Sequence, residues 1–210
     1  MTLPLATTML GLPKATEINR PLPKKAIFDK FKPNSADRQR FDAEIRRLAI
    51  VHELSPTTTN IVSGESIGAF YVVLVSLRVA ESDKKNLLLL SKLIPQNMLF
   101  VLEYDGKARL AVCRAGKVVQ SDWRPVDAWN TRLTGLNLDA VWENIIVQIG
   151  DVEVAEGKTL DEQLAADEER NTLLKKIARL EKQARSEKQP RQKWKLVEEI
   201  RRLKIMLEGK

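Results

Sequence analysis

Phe70-Tyr-Val-Val-Leu-Val-Ser-Leu-Arg-Val79 is the stretch on which the fold class turns. A strand with one wet face alternates apolar and polar side chains. This stretch does not alternate and is rich in β-branched residues, so it reads as a central strand covered on both faces. Downstream, Lys84–Leu93 reads as a helix with Leu87 to Leu90 toward the sheet, ended by Pro95. Met98–Tyr104 and Arg109–Arg114 then flank Asp105-Gly106, a tight-hairpin signature, and Ala115-Gly116 turns the chain into a further strand, Lys117–Asp122. Asn137 or Asp139 starts a helix through Ile149, with Leu138, Val141, Trp142, Ile145 and Ile149 on one side.

Upstream, Ser35 is placed to cap a helix over Ala36–Arg47, where Phe41, Ile45 and Leu48 recur at helical spacing. A strand over Leu48–Leu54 follows, stopped by Ser55-Pro56, and Thr57–Asn60 reads as a loop or strand edge. Residues 1–34 carry Pro4, Pro13, Pro21, Pro23 and Pro33 and read as an extended arm with at most one short helix near Lys24–Phe31. The expected fold is α+β: a mixed, mostly antiparallel sheet of about five strands with packing helices, over residues 35–150.

Residues 151–158 read as a linker. Beyond it, 159–210 reads as a helical hairpin or coiled coil. Thr159-Leu-Asp-Glu162 fits a capping box. Leu173, Ile177, Leu180 and Ala184 recur in steps of four, three and four, and so do Leu196, Ile200, Leu203 and Leu207. Pro190 is tolerated in the first turn of a second helix but not inside one long helix, which favours a hairpin. A homodimer held by a C-terminal coiled coil is the alternative.

Charge is unevenly placed. Residues 170–210 hold 14 Lys and Arg against 5 Asp and Glu, whereas 1–169 hold 21 against 23. The net charge of +7 thus belongs to the C-terminal helices. A concentrated basic surface favours phosphate or acidic protein partners; a merely solvated Lys/Arg-rich face is the other reading. A single cysteine, Cys113, excludes an internal disulfide and a cysteine-rich zinc site. No apolar run reaches membrane-spanning length, and the first residues lack the basic stretch of a signal peptide, so the expected location is the cytoplasm.

Motifs for chemistry are sparse. There is no phosphate-binding Gly-x-x-x-x-Gly-Lys-Ser/Thr, no dinucleotide Gly-x-Gly-x-x-Gly and no Gly-x-Ser-x-Gly nucleophile elbow. His52, the only histidine, and Cys113 both fall in expected strands, where packing is the commoner role of such residues. An enzymatic alternative is a magnesium-dependent, restriction-type nuclease. Asp105-Gly-Lys107 has the acid-x-Lys spacing of such sites, and Glu65 and Glu103 complete a set of carboxylates. Asp-Gly is equally explained as a hairpin turn. Of the four tryptophans, Trp142 reads as core. Trp123 and Trp129 read as anchors of an irregular segment or as stacking surfaces. Trp194 sits among Arg191, Lys193 and Lys195, where it would contact a partner or close the hairpin.

Five segments occur in a familiar order and spacing: Leu10-Gly-Leu-Pro13, Leu54-Ser-Pro-Thr-Thr-Thr-Asn-Ile61, Leu93-Ile-Pro-Gln-Asn-Met-Leu-Phe-Val-Leu-Glu-Tyr104, Leu133-Thr-Gly-Leu-Asn-Leu-Asp-Ala-Val141 and Glu187-Lys-Gln-Pro-Arg-Gln-Lys193. Together they resemble a bacterial family classed as a domain of unknown function. Members are often encoded beside superfamily-2 helicases and DNA methyltransferases in restriction-like or phage-defence operons. The resemblance carries no active-site residues and no cofactor. It implies a non-catalytic accessory protein whose partners are a helicase or a DNA methyltransferase, with DNA as a further ligand. The expected contact residues are Lys182, Arg185, Lys188, Arg191, Lys193, Trp194 and Lys195.

Overall fold

In the computed structural model, which describes residues 10–93, 95–150, 157 and 159–208, the apolar stretch forms β3 (Phe70–Leu77), buried at every position but Tyr71. On one side β3 pairs antiparallel with β2 (Ile45–Leu54), and β2 pairs antiparallel with β1 (Glu17–Pro21). On the other side β3 runs parallel to β4 (Asn97–Tyr104). The connection between them carries α4 (Lys84–Leu90), capped by the Asp83 carboxylate, which accepts from the Lys85 amide. Antiparallel β5 (Lys107–Arg114) and β6 (Lys117–Gln120) follow, and β7 (Arg124–Pro125) pairs with the first part of β5. The mixed α+β architecture agrees with the expectation, but the described residues form seven strands rather than about five.

The two extra strands have no apolar signature. β1, Glu-Ile-Asn-Arg-Pro, lies within the expected extended arm and pairs on one side only, so little of it is buried. Helix α1 (Lys24–Phe31) follows and puts Ile27 and Phe28 into the core. β7 is two residues long. Helix α2 spans Ser35–Glu44, shorter than Ala36–Arg47, and its cap is Asn34 rather than Ser35: the Asn34 side chain accepts from the Asp37 amide at 2.8 Å. The Phe41, Ile45 and Leu48 spacing straddles a helix and a strand that cover one core, so periodicity alone misplaces their junction. Thr57–Asn60, expected as a loop or strand edge, falls mostly in a single helical turn, α3 (Pro56–Thr59), closed by a Ser55/Thr58 capping box.

Both hairpin turns are tight. Asp105-Gly106 and Ala115-Gly116 each place two successive residues at positive φ, 48° and 72° and then 49° and 74°. This is the type I′ pattern, matched to strand twist.

Helices α1, α2 and α4 cover one sheet face, where Phe41, Val73, Val75, Phe100 and Leu102 share a core. Helix α5 (Leu138–Gly150) buries Leu138, Val141, Trp142, Ile145, Ile146 and Ile149. Its Trp142 ring lies 5.1 Å from that of Phe70, a strand residue that alternates away from the first core. Trp142 is therefore core, as expected.

The chain divides into two compact units, Met1–Val152 and Glu153–Lys210. The expected linker, 151–158, lies outside the described residues except for Gly157. In the second unit α6 (Leu160–Ser186) starts at the Thr159/Glu162 capping box, and α7 (Pro190–Glu208) begins with the proline at its first position. Helix α6 is about 40 Å long at 1.5 Å per residue, and three residues between the helices cannot carry the chain back to its start. The helices therefore pack antiparallel, as a hairpin. The two apolar seams form one cluster of Ile177, Leu180, Ala184, Ile200 and Leu203, with Leu173, Leu196 and Leu207 against it. Lys176–Glu199 at 2.9 Å and Lys204–Glu181 at 2.8 Å bridge the helices. Among the described residues, no helix is long and apolar enough to cross a membrane.

Candidate functional site

The seam residues of α6 and α7 satisfy one another within the chain, so what the hairpin offers outward is its remaining surface. Lys182, Arg185, Lys188, Arg191, Lys193, Trp194 and Lys195 are all exposed or half-buried, and none joins an ion pair among the described residues. Trp194 does not close the hairpin: it is 65% exposed. The Lys204 ammonium, hydrogen-bonded to the Glu181 carboxylate, holds that group below its ordinary range. This contribution is present at neutral pH and is lost as the pH falls through the lowered carboxylate pKa.

Trp194 also has company that the sequence pattern did not reveal. Val197 is 50% exposed and Ile205 62%. At 100° per residue, positions 194, 197, 201 and 205 fall on one stripe, roughly 140° around the α7 axis from the Leu196/Ile200/Leu203/Leu207 seam. Arg201 interrupts the stripe and Lys193 borders one side; Glu198 and, beyond it, Arg191 and Arg202 border the other. The signal was present as a second apolar stripe on a helix whose first stripe had already explained its periodicity. A helix with a wide polar back needs only one such stripe to fold.

The other tryptophans anchor the body. Trp129 is 8% exposed; its indole N–H donates to the Ala108 carbonyl at 2.9 Å, and the Arg124 guanidinium lies 4.9 Å from its ring centre. Trp123 packs against the core with Arg109 4.5 Å from its ring.

The nuclease set is not brought together as a whole. Glu65 precedes β3 at its Phe70 end, whereas Glu103, Asp105 and Lys107 sit at the Leu77 end, about 20 Å away along the strand. Among the described residues no group of three or more His, Cys, Asp or Glu side chains is placed to hold a metal ion. His52 and Cys113 stand on β2 and β5, three strand spacings or about 14 Å apart. The His52 Nδ1 is 2.8 Å from the Thr16 hydroxyl, and burial pushes the Cys113 thiol above its usual range.

Two of the carboxylates do share a cleft. It has a volume of about 510 Å³ and lies at the carboxyl ends of the parallel pair β3 and β4. Glu103, Tyr104 and Asp105 line it together with Ser76 and three arginines, Arg46, Arg47 and Arg78. The Ser76 hydroxyl donates to the Glu103 carboxylate at 3.0 Å, and Arg47 Nε donates to the same hydroxyl at 3.4 Å. A second cleft, about 610 Å³ at the opposite end of these strands, has no charged side chain among the described residues that line it.

Comparison with curated proteins returned no match, and comparison with solved structures returned none either. A family model matches almost the whole chain, residues 10–207, from the segment before β1 to the end of α7. The α+β body and the basic hairpin are therefore parts of a single recurring unit, and the chain belongs to the family described as Domain of unknown function (DUF4391).

Proposed function

We propose that this protein is a non-catalytic accessory subunit of a bacterial DNA restriction or phage-defence complex, and that the α6–α7 hairpin is its docking element. The observation that carries this reading is Trp194: a large aromatic ring left 65% exposed beside Arg191, Lys193 and Lys195, on a helix whose other apolar face is already used. Exposed aromatic and Arg groups of this kind are typical binding anchors. The helicase or methyltransferase partner is drawn from the operon context that the family resemblance implies. A dimer held by the coiled-coil seams is less favoured, because those seams are consumed within one chain.

The test is affinity purification of the full chain from its native host, wild type beside Trp194→Ala. A helicase or methyltransferase should co-elute with the wild type and be depleted at least about tenfold by the substitution, the scale of a hot-spot residue. Absence of both enzymes from the wild-type eluate sinks the reading. If the hairpin also binds DNA, the triple charge reversal Arg191→Glu, Lys193→Glu and Lys195→Glu should weaken binding of all sequences alike. It should also flatten the log–log salt slope by about 2.7, or about 0.9 for each phosphate no longer neutralised. A salt slope unchanged by the triple variant removes DNA from the proposal and leaves the protein partner.

A further inference from the structure

We propose that the cleft at the carboxyl ends of β3 and β4 binds a terminal phosphate group, carried by a mononucleotide or by the end of a nucleic-acid strand. The site is built from residues of the α+β unit alone.

Three observations converge on it. The first is a β-bulge. β2 pairs Ile45 with Leu77 and Arg47 with Ser76, so Arg46 is an extra residue in β2. In a regular strand, Arg46 and Arg47 would point to opposite faces, one of them into the Phe41 core. Here Ile45 and Leu48 are buried while both intervening arginines are exposed and line the same cleft. Bulges re-aim side chains in this way.

The second observation is charge. Among the described residues, no carboxylate forms an ion pair with Arg46, Arg47 or Arg78. Arg78 continues from the end of β3, and its backbone is fixed by an N–H bond to the Glu44 carbonyl at 2.7 Å. Glu103 is tied through the Ser76 hydroxyl, 5% exposed as a residue, to Arg47. That leaves Arg46 and Arg78 as the cations presented outward. A carboxylate is saturated by one guanidinium fork; two or three forks around one point suit the three oxygens of a phosphate. The same cations oppose a bare metal ion at Glu103 and Asp105.

The third is topology. The cleft lies at the carboxyl ends of the parallel neighbours β3 and β4, the end of parallel strands outside which α/β sheets hold their ligands. Glu103 and Asp105 in the lining offer acceptors for sugar hydroxyls or base amino groups.

The test uses the full chain with the hairpin silenced by Arg191→Glu, Lys193→Glu and Lys195→Glu. Calorimetric titration would use adenosine 5′-monophosphate, a short single-stranded oligonucleotide with a 5′-phosphate, and the same oligonucleotide with a 5′-hydroxyl. The phosphorylated probes should bind, with the 5′-hydroxyl strand at least about tenfold weaker, the scale of one charged hydrogen bond. Arg46→Ala with Arg78→Ala should weaken the phosphorylated probes by about 100-fold. Tighter binding of the phosphorylated strand than of the monophosphate identifies a nucleic-acid end as the ligand; equal binding identifies the free nucleotide. Thermal melting checks the fold of the double variant. If it melts early, Arg46→Lys with Arg78→Lys takes its place, keeping the charge, losing the forks and weakening binding by about tenfold. No binding of either phosphorylated probe, equal binding of the 5′-hydroxyl strand, or binding untouched by the arginine variants overturns the proposal. None of these outcomes bears on the docking role of the hairpin, whose own test is partner co-elution.

Discussion

Asp139→Ala is expected to lower the unfolding free energy of the α+β unit by about 2–4 kcal/mol, the cost of leaving several charge-assisted hydrogen bonds unmade, discounted for partial exposure. The Asp139 carboxylate, at the start of α5, accepts from three successive backbone amides: Glu65 at 2.8 Å, Ser66 at 3.2 Å and Ile67 at 2.8 Å. Its place in the first helical turn adds favourable interaction with the helix dipole. The loop leading into β3 is folded around it so closely that a Cβ on Gly64 would stand 2.2 Å from the carboxylate. Beside it, the Leu138 amide donates to the Val62 carbonyl at 3.0 Å, so this one helix end holds the whole approach to the central strand. Asp139→Asn keeps one acceptor oxygen and should fall midway. Denaturant unfolding followed on the sheet signal measures both; a loss below about 0.5 kcal/mol for the alanine variant would falsify the clamp.

Trp129→Ala should cost about 3–5 kcal/mol, the range for truncating a buried aromatic residue. Trp129→Phe separates the two contributions. It keeps most of the packing and removes only the donor to the Ala108 carbonyl, so about 1–2 kcal/mol is expected. At about 2–4 °C per kcal/mol for a chain of this size, the two variants should differ by several degrees in melting temperature. Equal melting of both would mean that the hydrogen bond, not the ring, anchors the segment after β5.

What could be read in advance followed burial. Phe70–Leu77 announces itself because both of its faces are covered, and Asp105-Gly106 because only special residues accept its backbone angles. β1 was illegible because an edge strand with one partner needs no apolar pattern, and an arm punctuated by prolines looks the same as one. The junction at Ile45 was illegible for another reason: Phe41, Ile45 and Leu48 face one core whether the chain between them is coiled or extended. The hairpin candidates were legible as charge and seam. Val197 and Ile205 were hidden because one helical period had already been accounted for. The arginine cleft left no trace in any single segment. It depends on a bulge in β2, the end of β3 and the turn after β4, which only the sheet brings together.

The margins of the sheet have a consequence for assembly. One margin is β1, which has a register shift between Glu17 and Arg20 and ends at Pro21. Beyond β5 the other margin is broken into two short pieces, β6 with Lys117 and β7 with Pro125. The Ser121 hydroxyl accepts the Leu110 amide at 2.9 Å in the gap between them. Among the described residues, neither margin offers a straight row of free amides and carbonyls on which another chain's strand could grow. Copies crowded together are thereby kept from polymerising through their backbones. Association is left to side chains, which can distinguish one partner from another as a bare peptide ladder cannot.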